Sequence, residues 1–186
     1  MLATPDDVAA RGRRVILRHK RLPDGADDYA WRCDEELARF DAAPPLRTSF
    51  VNFLSSMTAQ QRYPDSGRCS FAIEDEGGRH IGNVMYYNLR QEAGEAELGI
   101  TIGDRAHWGQ GYGSDAVQAL VRFLFHSKGL RRVFLHTLDW NTRAQRCFGK
   151  AGFEPRGTVW RDGQNFILMD VRRNRRGSSS QRRKKK

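Results

Sequence analysis

Cysteine is scarce in this chain of 186 residues, and its spacing excludes two common ways of stabilising a small fold. The three cysteines, Cys33, Cys69 and Cys147, are odd in number and form no Cys-x-x-Cys pair. A disulfide framework needs paired cysteines and a structural zinc site needs clustered ones, so neither is expected. The sequence therefore predicts no metal site and a protein of a reducing compartment.

Long hydrophobic runs are also absent. Nowhere do about 18 apolar residues follow one another, as a membrane-spanning helix requires, and residues 1–14 contain no apolar core of a signal peptide. Hydrophobic residues make up 39% of the chain and charged residues 29%, which is typical of a globular domain. We therefore expect a cytoplasmic protein that does not associate with membranes.

Acidic residues are missing from residues 172–186 (RRNRRGSSSQRRKKK), which hold nine of the 32 Lys and Arg residues. Without this segment the net charge of +10 falls to +1. The segment has no large apolar side chain to bury, so we predict one folded domain over residues 1–171 and a disordered basic tail over 172–186. The alternative is a tail that contacts RNA, the ribosome or another anionic surface, without base stacking because it has no aromatic residue.

Hydrophobic periodicity in the rest of the chain predicts both strands and helices. Strands are predicted at residues 15–17, 69–74, 81–89, 95–102, 133–138, 158–160 and 166–171. Helices are predicted over residues 26–40, after the N-cap Ser49, after a glycine-rich loop up to Gly129, and from the N-cap Asn141 to Gly152. This order gives one α/β domain with a mixed sheet and helices on its faces.

The glycine-rich loop, Trp108-Gly-Gln-Gly-Tyr-Gly113, follows the predicted strand at 95–102 and opens a helix. Its bare backbone N–H groups and the helix dipole attract an anion, and a pyrophosphate-bearing cofactor fits that arrangement. A dinucleotide-binding Rossmann unit is disfavoured because its loop would follow the first strand. A P-loop is excluded because Gly-Lys-Ser/Thr is absent. The simpler alternative is a flexible loop without a ligand.

Two blocks, residues 96–116 and 141–153, resemble the GNAT superfamily of N-acetyltransferases, nearest to the group with ribosomal-protein N-terminal and spermidine acetyltransferases. The resemblance extends over residues 11–173. The family's phosphate signature is Gln/Arg-x-x-Gly-x-Gly/Ala, and Trp108 stands here at its first position. The resemblance implies an α/β fold in which a mixed, mostly antiparallel sheet has splayed central strands and helices on both faces.

By the same resemblance, acetyl-CoA is the cosubstrate and binds between the strands at 95–102 and 133–138. The pantetheine arm would pair with strand backbone beside the helix cap, and the loop would hold the pyrophosphate, with Gln110 able to add a side-chain donor. The implied residues are Ile100, Thr101, Ile102, Trp108, Gly109, Gln110, Gly111, Tyr112, Gly113, Ser114 and Asn141.

Acetyl transfer to an amine needs the neutral amine, and neutralising an alkylammonium of pKa near 10.4 at pH 7 costs about 4.6 kcal/mol. A base that removes this proton is therefore expected. Glu97 is the candidate, because it shares a strand face with Gly99 and Thr101 beside the expected thioester. Glu95 is the alternative, and Glu97 is also compatible with an ordinary exposed strand residue.

Many relatives place a tyrosine in the fourth predicted helix to protonate the departing CoA thiolate, and Phe148 stands at that position. A thiol of pKa near 8.5 leaves as thiolate at pH 7 at a cost of only about 2 kcal/mol, so the exchange does not exclude activity. Cys147 has no His/Asp partner pattern and is expected in the core rather than as a nucleophile.

Acidic residues around the first predicted helix would attract a cationic acceptor, or simply form a solvated helix face. They are Asp27, Asp28, Asp34, Glu35, Glu36 and Asp41. The predicted activity is acetyl-CoA-dependent transfer of an acetyl group to a primary amine, of a protein N-terminus or a small molecule, by direct attack. We expect a monomer or homodimer. The alternative is a catalytically weak acetyl-CoA-binding module, associated with the ribosome or RNA through its basic tail.

Overall fold

The computed structural model describes residues 7–174, which form an eight-stranded sheet with helices on both faces. The strands are β1 (Val8–Arg11), β2 (Ile16–His19), β3 (Cys69–Glu74), β4 (His80–Arg90), β5 (Glu95–Ile102), β6 (Arg132–Leu138), β7 (Glu154–Arg161) and β8 (Gln164–Arg172). The helices are α1 (Gly25–Cys33), α2 (Glu35–Phe40), α3 (Phe50–Arg62), α4 (Tyr112–His126) and α5 (Thr142–Lys150).

The sheet is mixed and mostly antiparallel, as the resemblance implies. Neighbouring strands follow the order β1-β2-β3-β4-β5-β6-β8-β7, and every pair is antiparallel except β5–β6. On one face, the apolar stripe of α4 that includes Leu120 and Leu124 is fully buried, as its helical spacing predicts. On the opposite face, Asn83 of β4 donates a hydrogen bond of 2.6 Å to Asp28 of α1. The expected fold class is confirmed.

The parallel strands β5 and β6 are paired only at their starts. Their register runs from Glu95 opposite Arg132 to Glu97 opposite Phe134, and there the pairing ends. Both strands continue past this point, each bonded to its outer neighbour but not to the other. This opening, called the fork below, is the splayed centre that the resemblance implies.

The N-terminal region departs from the sequence prediction in two places. The strand β1 is missing from the prediction, because its four residues show no alternation of apolar and polar side chains. The prediction of a single helix over residues 26–40 is wrong, because Asp34 has extended backbone (φ −74°, ψ 122°). The Asp34 carboxylate accepts a hydrogen bond of 2.9 Å from the N–H of Leu37. Asp34 therefore ends α1 and caps α2.

The other predicted helix starts are confirmed. Ser49 and Asn141 each accept a hydrogen bond from the backbone N–H three residues further on, at 3.3 and 3.1 Å. At the C-terminus β8 ends at Arg172, and most of the predicted basic tail, residues 175–186, lies outside the described residues. No helix within residues 7–174 has the length and apolar character needed to cross a bilayer.

Candidate active site

The fork opens into a cavity of about 590 Å³ that is walled by β5, β6, the glycine-rich loop and α5. Nine of the residues implied by the resemblance line it: Ile100, Thr101, Ile102, Trp108, Gly109, Gly111, Gly113, Ser114 and Asn141. The two sequence blocks that carry the resemblance therefore meet at one cavity. Within the described residues, no group of three or more His, Cys, Asp or Glu side chains is arranged to hold a metal ion.

Residues 108–114, called the collar below, use their glycines for two different purposes. Gly109 (φ 75°) and Gly111 (φ 93°) have left-handed backbone that favours glycine. At Gly113 a Cβ atom would lie 3.2 Å from the Cys147 sulfur, so glycine permits the close approach of α5. The helix α4 begins directly after Gly111 and has no side-chain cap. Its first N–H groups are therefore available to an anion in the cavity.

Two collar side chains do not line the cavity. The Gln110 amide donates to the backbone carbonyl of Ala106, outside the cavity wall. The Tyr112 ring is buried, and its hydroxyl accepts from Arg14 at 2.7 Å and donates to Glu76 at 3.0 Å. For Gln110 and Tyr112, the candidate phosphate ligands are therefore their backbone N–H groups and not their side chains.

Trp108, at the signature position where relatives have Gln or Arg, packs across the collar. Its indole N–H donates to the Ile102 carbonyl at 2.7 Å. The Arg143 guanidinium lies 3.6 Å from the ring centroid, and Phe40 meets the ring edge-on at 5.9 Å. Trp108 thus joins α2, the collar and α5 at the cavity, and it already uses one acceptor site of Ile102.

Glu97, the base expected from the sequence, does not line the cavity directly. Its side chain is buried, and one carboxylate oxygen lies 2.8 Å from His136 Nδ1. The other oxygen accepts from the Asn88 amide at 2.9 Å. His136 does line the cavity and is not among the residues predicted from the sequence. Its titratable side chain within the mostly apolar predicted strand at 133–138 was the available signal.

Tyr87 of β4 also lines the cavity and contacts the same carboxylate. Burial, the negative charge of Glu97 and a hydrogen bond to Glu97 raise the Tyr87 pKa to about 12. The hydroxyl therefore keeps its proton at neutral pH. The Tyr87 hydroxyl therefore donates a hydrogen bond that stabilises the buried negative charge of Glu97.

The cavity wall formed by α5 carries Phe148, which stands where many relatives have tyrosine, and the neighbouring Cys147. Phe148 is buried against Phe153, with ring centroids 6.0 Å apart, and has no proton to donate. Burial raises the Cys147 pKa to about 11, so this thiol is protonated near pH 7. Cys147 therefore suits a packing role between α4 and α5 rather than nucleophilic attack.

Most acids around the first two helices are engaged with basic side chains away from the cavity. Lys20 lies 2.5 Å from Asp28, and Arg105 lies 2.8 Å from both Asp34 and Glu36. None of these acids lines the cavity. Their positions therefore favour the alternative of a charged helix face over attraction of a cationic acceptor to this cavity.

Asp41, after α2, is the member of this acidic set that lines the cavity. The Thr101 hydroxyl donates to it at 3.1 Å. Desolvation raises the pKa of the Asp41 carboxyl, against the opposing effects of Thr101 and the nearby Arg32 charge. Arg32 and Arg68 line the cavity as well, so this wall presents charges of both signs.

Comparison with known proteins identifies the family of the chain that forms this cavity. The acetyltransferase (GNAT) domain matches residues 14–154. The chain belongs to the GNAT acetyltransferase family. As a GNAT member it is an acetyl-CoA-dependent N-acetyltransferase, and acetyl-CoA is its cosubstrate.

Two curated relatives illustrate the range of this GNAT protein's similarity. The uncharacterized N-acetyltransferase p20 of Bacillus licheniformis is 35% identical over 151 residues, which cover 78% of this chain and 82% of that protein. Aminoglycoside N(6')-acetyltransferase type 1 of Klebsiella pneumoniae is 34% identical over 173 residues, covering 85% and 83%.

Solved structures agree with the GNAT fold. Spermidine N-acetyltransferase from Vibrio cholerae, in complex with CoA and spermine, superimposes with a TM-score of 0.76 at 20% identity, covering 85% of this chain and 95% of that chain. An aminoglycoside acetyltransferase in complex with coenzyme A and kanamycin gives a TM-score of 0.70 at 22% identity, covering 86% and 95%. At these identities the similarity establishes the shared fold.

Proposed function

We propose that this chain transfers the acetyl group of acetyl-CoA directly to a primary amine, of a small molecule or a protein N-terminus, in the cytoplasm. The thioester lies in the fork, the pyrophosphate lies on the collar, and the amine approaches from the side of β4 and α2. The fork is the observation that carries this proposal.

The fork leaves backbone groups of β5 without a strand partner beyond Glu97. Unpaired backbone groups inside a protein are costly, so a bound molecule that pairs with them is favoured. The amides of the pantetheine arm supply such partners at Ile100, whereas the backbone groups of Thr101 point toward β4. Ile102 contributes less, because the Trp108 indole already donates to its carbonyl.

The collar holds the diphosphate by its backbone. Gly109 and Gly111 have left-handed backbone, and α4 starts without a side-chain cap. The N–H groups of residues 109–114 are therefore available to the diphosphate, and the helix dipole also favours negative charge there. Asn141, buried at the start of α5, lies beside the arm on the other wall.

Direct attack by the amine is favoured over an acetylated enzyme. Cys147 is the cysteine that lines the cavity, and its pKa of about 11 makes its thiolate rare at pH 7. The amine nitrogen therefore bonds to the thioester carbon itself, and the carbon–sulfur bond breaks. The amine's proton leaves toward Glu97, which reaches the cavity through His136.

Binding of acetyl-CoA to the collar is tested with Gly111→Ala, measured by isothermal titration calorimetry. We expect its affinity for acetyl-CoA to fall by about 10- to 100-fold, because contacts between N–H groups and a charged phosphate are displaced. Gly129→Ala is the matched control, since Gly129 is also left-handed (φ 70°) with open space around it but lies outside the cavity.

Both substitutions introduce the same kind of backbone strain, so equal losses of affinity would contradict the collar assignment. Acetyl-pantetheine, which lacks the diphosphate, provides a second comparison. Its affinity should be the same for wild type and both variants.

Turnover is tested by mass spectrometry with spermine, kanamycin and an alanine-starting peptide as separate acceptors. We expect gain of one acetyl group on at least one of them, together with release of free CoA. Acetyl-CoA binding without acetylation of any of the three would instead support the catalytically weak binding module.

A further inference from the structure

We infer that His136 Nε2 is the atom that accepts the amine's proton and that Glu97 is the positioning residue behind it. This inference deepens the proposed amine acetylation and rests on it. It moves the catalytic contact from the buried carboxylate to the imidazole that lines the cavity.

The hydrogen bond between His136 and Glu97 fixes which ring nitrogen is available. Nδ1 lies 2.8 Å from Glu97 Oε1, and an ionised carboxylate can only accept. Nδ1 therefore donates, and the neutral ring carries its lone pair on Nε2. Within residues 7–174, the hydrogen bond made by this ring is at Nδ1, so Nε2 is free to meet an acceptor amine in the cavity.

Strand register places His136 at the base of the fork. Phe134 is the residue of β6 opposite Glu97, at the last paired position. His136 is two residues further on and shares that face, because side chains of a strand alternate. The imidazole thus stands where the two strands have separated, with 17% of its side chain exposed toward the cavity.

Glu97 is itself held by a local irregularity of β4. The register between β4 and β5 shifts between Tyr87 and Arg90, so two residues of β4 oppose one of β5. Asn88 lies in this bulge with left-handed backbone (φ 51°) and donates its amide to Glu97 at 2.9 Å. The Asn88 amide and the Tyr87 hydroxyl thus hold the Glu97 carboxylate with one of its oxygens against His136 Nδ1.

The proton balance of the reaction closes with these groups. An ammonium proton passes to His136 Nε2, and the resulting imidazolium is paired with the Glu97 carboxylate. The neutral nitrogen then bonds to the thioester carbon while the carbon–sulfur bond breaks. The second proton that nitrogen loses goes to the sulfur, which gives CoA thiol, and His136 returns its proton to water.

Other charged groups face this part of the molecule and enter its pH dependence. They are Glu97 of β5, Tyr87 of β4, Arg68 before β3, Asp41 after α2, Arg146 of α5 and Asp170 of β8. Asp170 is held by Arg132 and Arg156, each at 2.7 Å. Glu97 is the carboxylate in direct contact with the imidazole, so it dominates the stabilisation of the cation.

The decisive experiment compares wild type, His136→Gln and Glu97→Gln in kcat/KM across pH, with whichever of spermine, kanamycin and the alanine-starting peptide is acetylated fastest. His136→Gln should lower kcat/KM by about 10²- to 10⁴-fold at pH 7, with acetyl-CoA affinity unchanged. The fall in wild-type rate toward acid, caused by protonation of the imidazole, should disappear. Glu97→Gln should cost less and move that fall to lower pH, because the imidazolium loses its paired anion.

Controls separate a catalytic role from a structural one. His126→Gln, at the exposed end of α4, should behave as wild type. His136→Ala should regain activity when free imidazole is added. An unchanged wild-type-like pH profile in His136→Gln, with or without loss of rate, would overturn the inference while leaving acetylation intact. Failure of wild type to acetylate any acceptor would overturn the proposed function, and the inference with it.

Discussion

A single carboxylate on α4 fixes the N-terminal hairpin to the rest of the fold. Asp115 is buried, and its two oxygens accept hydrogen bonds from the backbone N–H groups of Arg13, Arg14 and Val15, at 3.0, 2.8 and 3.2 Å. These donors lie in the turn between β1 and β2. Without the carboxylate they would be left unpaired next to the core.

At the residue scale, we therefore predict that Asp115→Ala destabilises the protein by about 3 kcal/mol, because the hydrogen bonds to a charged acceptor are lost and partly buried donors remain. Urea unfolding followed by circular dichroism measures the change. Asp139→Ala, which removes an exposed aspartate, should change the free energy of unfolding by less than about 0.5 kcal/mol. Similar effects of the two substitutions would contradict this account.

At the element scale, Asp170 joins the three strands β6, β8 and β7 at one end of the sheet. This buried carboxylate of β8 accepts from Arg132 of β6 and from Arg156 of β7. Burial by itself raises the Asp170 pKa, but the hydrogen bonds and charges of Arg156 and Arg132 outweigh it and leave the pKa below its ordinary value of 3.8. The group thus favours the folded state when it is ionised.

The sign of the pH effect follows from that direction. A carboxyl with a lowered pKa in the folded state stabilises the protein above its ordinary pKa, and this stabilisation is lost as pH falls through the folded-state value. We predict that Asp170→Asn lowers the free energy of unfolding by about 2 kcal/mol at pH 7 and by less at pH 3. Urea unfolding at the two pH values measures both. An equal loss of unfolding free energy at the two pH values would contradict the ion-pair explanation. The control is Glu154→Gln, at an exposed ion pair with Arg156, which should change the free energy of unfolding little.

The elements that the sequence predicts well are those with a strong periodic signal. The stripe of α4 and the caps Ser49 and Asn141 are local features, and the structure confirms them. The break at Asp34 was missed because apolar residues recur at helical spacing on both sides of it. In the sequence, the capping residue Asp34 cannot be distinguished from the other acidic residues of this helical region.

The candidate site was predictable in its backbone and less so in its side chains. The glycines at 109 and 111 permit left-handed backbone, and the structure shows it at both positions, so the loop conformation was predictable from the sequence pattern. The phosphate site there remains a prediction. The position of Glu97 depends on the partner strand, because the bulge at Asn88 and the nearby His136 come from β4 and β6. Contacts between distant strands cannot be deduced from alternation along one strand.

At the scale of the whole molecule, charge is unevenly divided along the chain. The net charge of +10 is carried almost entirely by residues 172–186, while the rest of the chain is close to neutral. The cavity wall does not follow this neutral pattern, because its charged lining residues are Arg32, Arg68, Arg143, Arg146, Lys150 and a single acid, Asp41. An excess of positive charge of this kind favours a ligand that carries phosphate groups, as acetyl-CoA does.

The short pairing of β5 and β6 also has a mechanical consequence. Within residues 7–174, only the positions from Glu95 to Glu97 pair the first five strands of the sheet with the other three, so few backbone hydrogen bonds join the two parts. We predict that deuterium enters the amides of Gly99–Ile102 that face the gap faster than those of β4, and that acetyl-CoA slows this exchange by at least about tenfold. Mass spectrometry of peptides from the labelled protein measures both rates. Equal protection of the β5 and β4 amides in the free protein would contradict this account, because it would mean that the gap between β5 and β6 is already closed before acetyl-CoA binds.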